Sequence, residues 1–420
     1  MFIGRKSELS ALEEHYKSGK PELAIVWGRR RIGKTELIKQ FLKRKRGAYF
    51  LCRRESCLDS LSRLAGEIAK GVGAFAPKIE SAEAFAAFAR DACRERFIIA
   101  LDEFTYLAET DLSATSAWQA IWDEYLSKTK AFVIICGSSV AMMEREVMGA
   151  KSPLYGRRTC QFKMQPLSFR ETSGFFPKAS AVRCAELLYI CDGIPLYAEL
   201  LDGSRTAVAN AVENVARKQA RLYEEPELLL KAELRQTKVY RSVLRAIASG
   251  KATTNEIALA AKVPAGQVVP YLYALEELGL IRTMTPAGEE KPASKVTLRE
   301  IADNFLGFYY RFIEPNQELV EMGDEQSLHK VISGGFPQYA GRRFEEVAGQ
   351  LILEKAGFPV TSHGRWWNRK GEEIDMVALS EHTNDILFVE AKWKRLSKSE
   401  RESCIRRLQA KATLVGWKKN

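Results

Sequence analysis

Histidine is scarce in this chain, with four residues in 420, at positions 15, 329, 363 and 382, and no C-x-x-C pair occurs among the eight cysteines at 52, 57, 93, 136, 160, 184, 191 and 404. That dispersal excludes a zinc-finger framework and a redox dithiol, and predicts reduced, partly buried thiols, several inside apolar runs such as VIICG. No apolar run approaches the ~20 residues that a membrane helix needs, and the N-terminal MFIGRKSELSALEEHY is polar and periodic, unlike a secretory signal. A cytoplasmic protein with no membrane partner is expected. Internal repeats and low-complexity tracts are also missing, which excludes a solenoid.

What remains is an ordinary globular composition, 46% hydrophobic and 28% charged, in a chain long enough for two to four domains. The formal charge of +11 is unevenly spread: Ala391 to Asn420 holds ten Lys or Arg against Glu400 and Glu402, a local excess of 10 − 2 = +8. A solvated basic face and a phosphate-backbone contact surface both fit that excess.

The first 160 residues alternate short apolar runs (LAIVW, AYFLC, FIIALDEF, FVIICGSS) with helical patterns, which predicts a parallel sheet covered on both faces. After Gln165-Pro166-Leu167 the strands stop and helices broken at Cys191 to Pro195 follow. From Thr237 three compact helices are predicted, the second capped by Thr253 or Thr254 with Glu256 in its first turn and the third starting at Pro264; a strand-turn-strand (IRTMT, PAGEEKPASK, VTLRE) completes a winged-helix pattern. Its third helix carries Gln267, Glu276 and Glu277 where base contacts would need cations, so phosphate contacts would fall to Lys262, Arg282, Lys291 or Lys295, and direct base reading is disfavoured against a packing or protein-contact role. In IADNFLGFYYRFIEPN the aromatics at 305, 308, 309 and 312 recur at helical spacing, the pattern of a buried connector.

The richest stretch is LAIVWGRRRIGKTELIKQ, an apolar run passing straight into G-x-x-x-x-G-K-T and then a helix. Gly28 and Gly33 let the backbone turn so that the N–H groups of Arg29, Arg30, Arg31 and Ile32 point inward; Lys34 reaches the β- and γ-phosphates and Thr35 ligates Mg²⁺. Asp102, sixty-eight residues after Lys34 at the end of FIIALDEF, is placed to hold the Mg²⁺ shell, and Glu103 to orient or deprotonate the attacking water. Ser138 or Ser139, ending the next strand, is placed to report the phosphate state, with an ordinary capping turn as the alternative. Arg157 and Arg158 in SPLYGRRT offer an arginine finger, or an ion pair with Asp or Glu.

With F-I-G-R-K-S-E-L at 2–9, GRRRIGKT, LDEF, CGSS, PLYGRRT and the Gly193-Ile194-Pro195 break in order, the chain resembles the archaeal-type P-loop ATPases, a branch of the STAND class related to AAA+ proteins. The match covers about residues 1–235. The resemblance implies ATP and Mg²⁺ as cofactors, Phe2 to Leu9 near the adenine, and Gly193–Pro195 as a nucleotide-sensing lid element. In that family the ATPase is often followed by a winged helix and a module similar to PD-(D/E)xK nucleases. Here the module would use Glu345 or Glu346 on a helix and Asp375, Glu390 and Lys392 on two strands. Asp375 and Glu390 would bind Mg²⁺ and Lys392 would stabilise developing charge, with E-x-K on one face of a strand at a sheet edge. I-D replaces P-D in its first line, and a nuclease-like fold kept for binding or packing is the competing reading.

The expected fold class is therefore α/β, a P-loop parallel sheet with a helical lid, then an α+β winged helix and a small α/β restriction-endonuclease-like domain. The expected boundaries are 1–165 ATPase core, 166–235 lid, 236–300 winged helix, 301–335 connector and 336–420 nuclease-like module. The leading functional expectation is an ATP-hydrolysing switch coupled to DNA or another nucleic acid, with a Mg²⁺-dependent nuclease as its sharpest form. An ATP-controlled scaffold and a ring-forming motor compete with it, the Gly156-Arg157-Arg158 element allowing a nucleotide-dependent homo-oligomer.

Overall fold

The computed structural model describes residues 2–288 and 297–417. The chain divides into two compact units, residues 1–174 with 193–196, and residues 175–192 with 197–420.

In the first unit β1 (Glu22–Trp27), β2 (Gly47–Leu51), β3 (Phe97–Asp102), β4 (Ala131–Gly137) and β5 (Cys160–Lys163) form one parallel sheet in the order β2-β3-β4-β1-β5. Every residue of β1, β3 and β4 is buried. Central strands covered on both faces need apolar side chains at successive positions, so these three are unalternated in sequence. Strand β5 was not expected: CQFK is four residues long with alternate side chains half-exposed or exposed, too short and polar to stand out, and its pairing with β1 defines it. Helix α1 (Lys6–Lys17) precedes β1, α2 (Lys34–Leu42) connects β1 to β2, and α3 (Cys57–Val72) and α4 (Ala82–Ala92) connect β2 to β3. Ser56 and Ser81 cap α3 and α4 by accepting from the N–H of Asp59 and Ala84, and Gly73 ends α3 in the left-handed region at φ 72°. Because β4 lies between β1 and β3, the chain following each of these strands emerges at one edge of the sheet.

The second unit contains α5 (Ala181–Cys191), then α6 (Thr237–Ala248), α7 (Thr254–Ala261) and α8 (Ala265–Glu277), followed by the antiparallel pair β6 (Ile281–Met284) and β7 (Leu298–Ile301). Thr253 caps α7 in a reciprocal box with Glu256, and Pro264 stands at the N-cap of α8. Lys291, Lys295 and most of the turn between β6 and β7 lie outside the described residues. The aromatic segment forms α9 (Asn304–Phe308) and a π-helical turn, Tyr309–Ile313. Phe308 and Phe312 stack edge-on against Tyr339 of α10 (Glu325–Leu353), at centroid distances of 6.0 and 5.7 Å. Helix α10, Glu325–Leu353, runs through the boundary expected at 335/336, with Phe336 and Tyr339 in the aromatic cluster and Gly349 close to Met376 of the sheet that follows.

That sheet is β8 (Ser362–Trp367), β9 (Glu373–Leu379) and β10 (Ile386–Val389), antiparallel in the order β10-β9-β8, with α11 (Lys398–Ala412) after it. Trp366, Ile374, Val377, Leu379, Val415 and Ala287 make its core.

Gly193 shows how tightly the first unit is closed. Its φ is +65°, its carbonyl accepts from the Leu167 N–H at 2.9 Å, and a Cβ there would stand 2.2 Å from the Leu167 carbonyl oxygen. Gly193→Ala is expected to cost more than ~1 kcal/mol, lowering Tm by roughly 2–4 °C or more in a thermal melt.

Candidate functional site

The phosphate loop departs from the end of β1 with Gly28 at φ +145°, where a Cβ would meet the Met164 carbonyl at 2.8 Å. Arg31 takes φ 68° and Gly33 φ 94°, and α2 starts at Lys34, so the loop's N–H groups precede a helix N-terminus. Lys34, 5% exposed, donates from Nζ to the carbonyls of Gly28 and Arg29, both at 2.8 Å, which places its ammonium inside the loop. Arg30 reaches Tyr106 Oη at 3.1 Å. The buried Arg5 donates to the Ile32 carbonyl at 2.8 Å, while its N–H donates to Glu171, so the Phe2–Leu9 segment is bonded directly to the loop. The nearest atom to a Cβ built on Gly33 is Pro195 Cγ at 3.6 Å, which brings the Gly193–Pro195 break to the loop as well.

At the end of β3 the Asp102 carboxylate is 1% exposed and accepts from Thr35 Oγ1 at 2.6 Å and Tyr49 Oη at 2.7 Å on Oδ2, and from the Glu103 N–H at 3.0 Å on Oδ1. Burial, then the bond to Asp102, pushes the Tyr49 phenol far above its usual range, so it remains a donor. Tyr49 was missed in the sequence. Its signal was a hydroxyl in the apolar AYFLC run, on the face of β2 opposite the buried Ala48 and Phe50. Glu103 stands in the left-handed region at φ 54° and accepts from Ser138 Oγ at 2.6 Å. The two serines therefore separate: Ser138 meets Glu103, whereas Ser139 accepts from the Met142 N–H as a helix cap.

Arg157 forks onto Asp123, with Nε 2.8 and 2.9 Å from its two oxygens, and also donates to the Pro153 and Tyr155 carbonyls. Arg158 donates to the Met148 carbonyl at 3.3 Å and lies over the Tyr155 ring. Here the ion-pair alternative describes Arg157.

In the second unit the expected E-x-K side chains meet. Lys392 Nζ is 2.5 Å from Glu390 Oε1 and 3.6 Å from Asp375 Oδ2, and the Ala391 N–H donates to Asp375 at 2.8 Å. They do not lie within a strand as expected: β10 ends at Val389, and the Asp375 carboxylate takes the N–H that a ladder carbonyl would have accepted. Burial, and secondarily the Glu390 charge, raise the Asp375 carboxyl above its ordinary value. The choice left open on the helix is resolved by partners. Glu346 forks onto Arg282 at 2.9 and 3.0 Å, while Glu345 pairs with Arg365 and faces Asp375. Burial and the Asp375 charge push Glu345 up to about 7.

Two Mg²⁺ sites were expected, and the donors differ between them. The Thr35 hydroxyl and Asp102 carboxylate, 2.6 Å apart, are hard oxygen donors that fit a cation completed by phosphates and water. Asp375 and Glu390 are engaged by Lys392 and a backbone N–H. Among the described residues no three His, Cys, Asp or Glu side chains form a metal-ligand group, so no metal-dependent step is derived there.

Comparison with known proteins follows this division. The family described as an ATPase domain predominantly from Archaea matches residues 2–190, and one described as archaea bacterial proteins of unknown function matches residues 309–404. A relative in Methanocaldococcus jannaschii, uncharacterized protein MJECL04, is 36% identical over 425 residues, spanning 99% of this chain and 93% of that protein. The uncharacterized ATP-binding protein MJ0423 of the same organism is 52% identical over 46 residues, 11% of this chain and 78% of its own. The Walker-type ATPase PABY2304 of Pyrococcus abyssi shares the fold, with a TM-score of 0.55 at 21% identity over 74% of this chain and 96% of its own. A P-loop sheet, a lysine held inside its loop and a full-length archaeal relative together place the chain in the family of archaeal P-loop ATPases.

Proposed function

We propose that this ATPase is a nucleotide-driven switch whose second unit engages nucleic acid. The observation that carries the nucleotide half is the meeting of Thr35 and Asp102, sixty-seven positions apart, beside Lys34 and Glu103. In this reading the N–H groups from Gly28 to Gly33 and the Lys34 ammonium bind the phosphates of ATP. Thr35 and Asp102 hold Mg²⁺, which when bound neutralises charge on the β- and γ-phosphates. Glu103 accepts a proton from, or orients, the attacking water. Ser138, bonded to Glu103, ties that carboxylate to β4, so a change at the γ-phosphate is felt in the strand between β1 and β3.

The nucleic-acid half rests on charge. The chain carries +11, and the helices and ribbon from Thr237 to Ile301 follow the winged-helix order. A second reading, in which the 336–420 module cuts nucleic acid, is favoured by the meeting of Asp375, Glu390 and Lys392. The ion pairs that Lys392 makes with both carboxylates favour binding over cutting.

Lys34→Ala is expected to lower ATP hydrolysis by roughly 100-fold or more, read as phosphate release, because it removes the cation inside the loop. Tyr49→Phe leaves the Thr35 bond to Asp102 in place. It should destabilise by about 1 kcal/mol in denaturant unfolding and slow hydrolysis without abolishing it. Lys392→Ala should leave hydrolysis unchanged; loss of Mg²⁺-dependent nicking of plasmid DNA in that variant establishes the cutting reading, and no nicking by the unaltered protein removes it.

A further inference from the structure

The second unit contains a cleft of about 970 Å³ whose wall runs from the end of α6 across β6 and β7 to α10, β9 and the segment after β10. Among the described residues that line it are eight Lys or Arg and five Asp or Glu, a net 8 − 5 = +3. Four of the cations are already answered inside the protein. Arg282 is held by Glu300 and Glu346, Arg365 by Glu345, Lys392 by Glu390 and Asp375, and Arg343 donates to the Ile301 carbonyl at 3.0 Å.

The other four are different. Lys251, Arg299, Arg311 and Arg342 have no carboxylate oxygen within 4.0 Å among the described residues. Arg299 donates to Thr254 Oγ1 and Arg311 to Gln338 Oε1, both at 2.7 Å, so neutral acceptors orient these guanidinium groups without cancelling their charge. They come from four elements: the loop after α6, strand β7, the π-turn and α10. Charges spread over several elements along a cleft suit a chain of phosphates better than one isolated anion.

Helix α8, where a winged helix would read bases, offers the opposite chemistry. Its sequence AGQVVPYLYALEE has no cation, and Val269, Tyr273, Glu276 and Glu277 are exposed. We propose that the cleft, not α8, is the track for a nucleic-acid backbone, with Lys251, Arg299, Arg311 and Arg342 as its phosphate contacts. The track passes the Glu345–Asp375–Lys392 group, so a bound backbone lies against those side chains. This rests on the reading that the second unit engages nucleic acid, and it assigns the surface and the sequence-independent mode of that binding.

The test is fluorescence anisotropy of the full chain with a labelled single-stranded 20-mer and the matching duplex over a salt series. Lys251→Glu with Arg342→Glu should weaken binding roughly tenfold or more on every sequence and flatten the log–log salt slope by about 1.4–1.8, two phosphate contacts' worth. Arg311→Gln with Arg342→Gln, exposed positions that keep side-chain bulk, should act in the same direction if the charge-reversed pair fails to fold. Tyr273→Ala and Gln267→Glu should bind as the unaltered protein, and all four variants should hydrolyse ATP at its rate. Binding that is indifferent to both cleft pairs, or lost with Tyr273→Ala, overturns the assignment of the cleft while leaving nucleic-acid engagement intact. No binding by the unaltered protein at low salt overturns both. Poly-glutamate that displaces the oligonucleotide and depends equally on Arg342 identifies an acidic peptide as the occupant and overturns the proposal.

Discussion

A carboxylate that is 1% exposed at the end of a central parallel strand is costly unless donors surround it, and the candidate nucleotide site is organised by the way Asp102 meets that demand. Its donors include Thr35 at the start of α2, Tyr49 on β2, and the N–H of its own neighbour Glu103. Satisfying one buried charge therefore draws together the phosphate loop, the edge strand and the residue that faces Ser138. The strand order makes this affordable, because β4 between β1 and β3 holds the loop and the carboxylate at the same sheet edge. Arg5 adds a fourth tie by holding the Ile32 carbonyl, so the segment before β1 braces the loop as well.

Charge is handled differently in the second unit. Arg282 joins Glu300 on β7 to Glu346 on α10, so the ribbon and the long helix are linked by a bidentate pair. One helical position away, Glu345 faces Asp375 and Arg365. Adjacent glutamates on one helix point about 100° apart, so they serve two networks, one structural and one at the carboxylate–lysine group. The same cleft thus holds cations paired directly with carboxylates and cations, Lys251, Arg299, Arg311 and Arg342, with no carboxylate oxygen within 4.0 Å among the described residues.

The parts of the site legible in the sequence are those whose chemistry is local. The glycines, Lys34 and Thr35 fall within eight residues, and the apolar runs before Gly28 and Asp102 declare buried parallel strands. Strand β5 was not legible, because four alternating residues carry little pattern and only pairing with β1 defines them. Tyr49 was hidden for a related reason: its role depends on β2 lying beside β3. Ser138 and Ser139 are equivalent in sequence, and so are Glu345 and Glu346. Arg157 and Arg158 are likewise adjacent, yet only the fold brings Asp123 to the first of them.

The sequence by itself determined a P-loop ATPase core, its loop residues and the carboxylate pair after the third apolar run, because phosphate binding needs fixed residue types at fixed short spacing. It also indicated helices and a ribbon from Thr237 onward, since caps and helical periodicity are local too. Which of two neighbouring side chains enters a site, which cations are cancelled, and whether the carboxylates near Lys392 are open or engaged were decided only by the tertiary structure. Those outcomes depend on the partners that distant segments bring within about 3 Å, and a partner's distance is not a property of either residue's sequence neighbourhood.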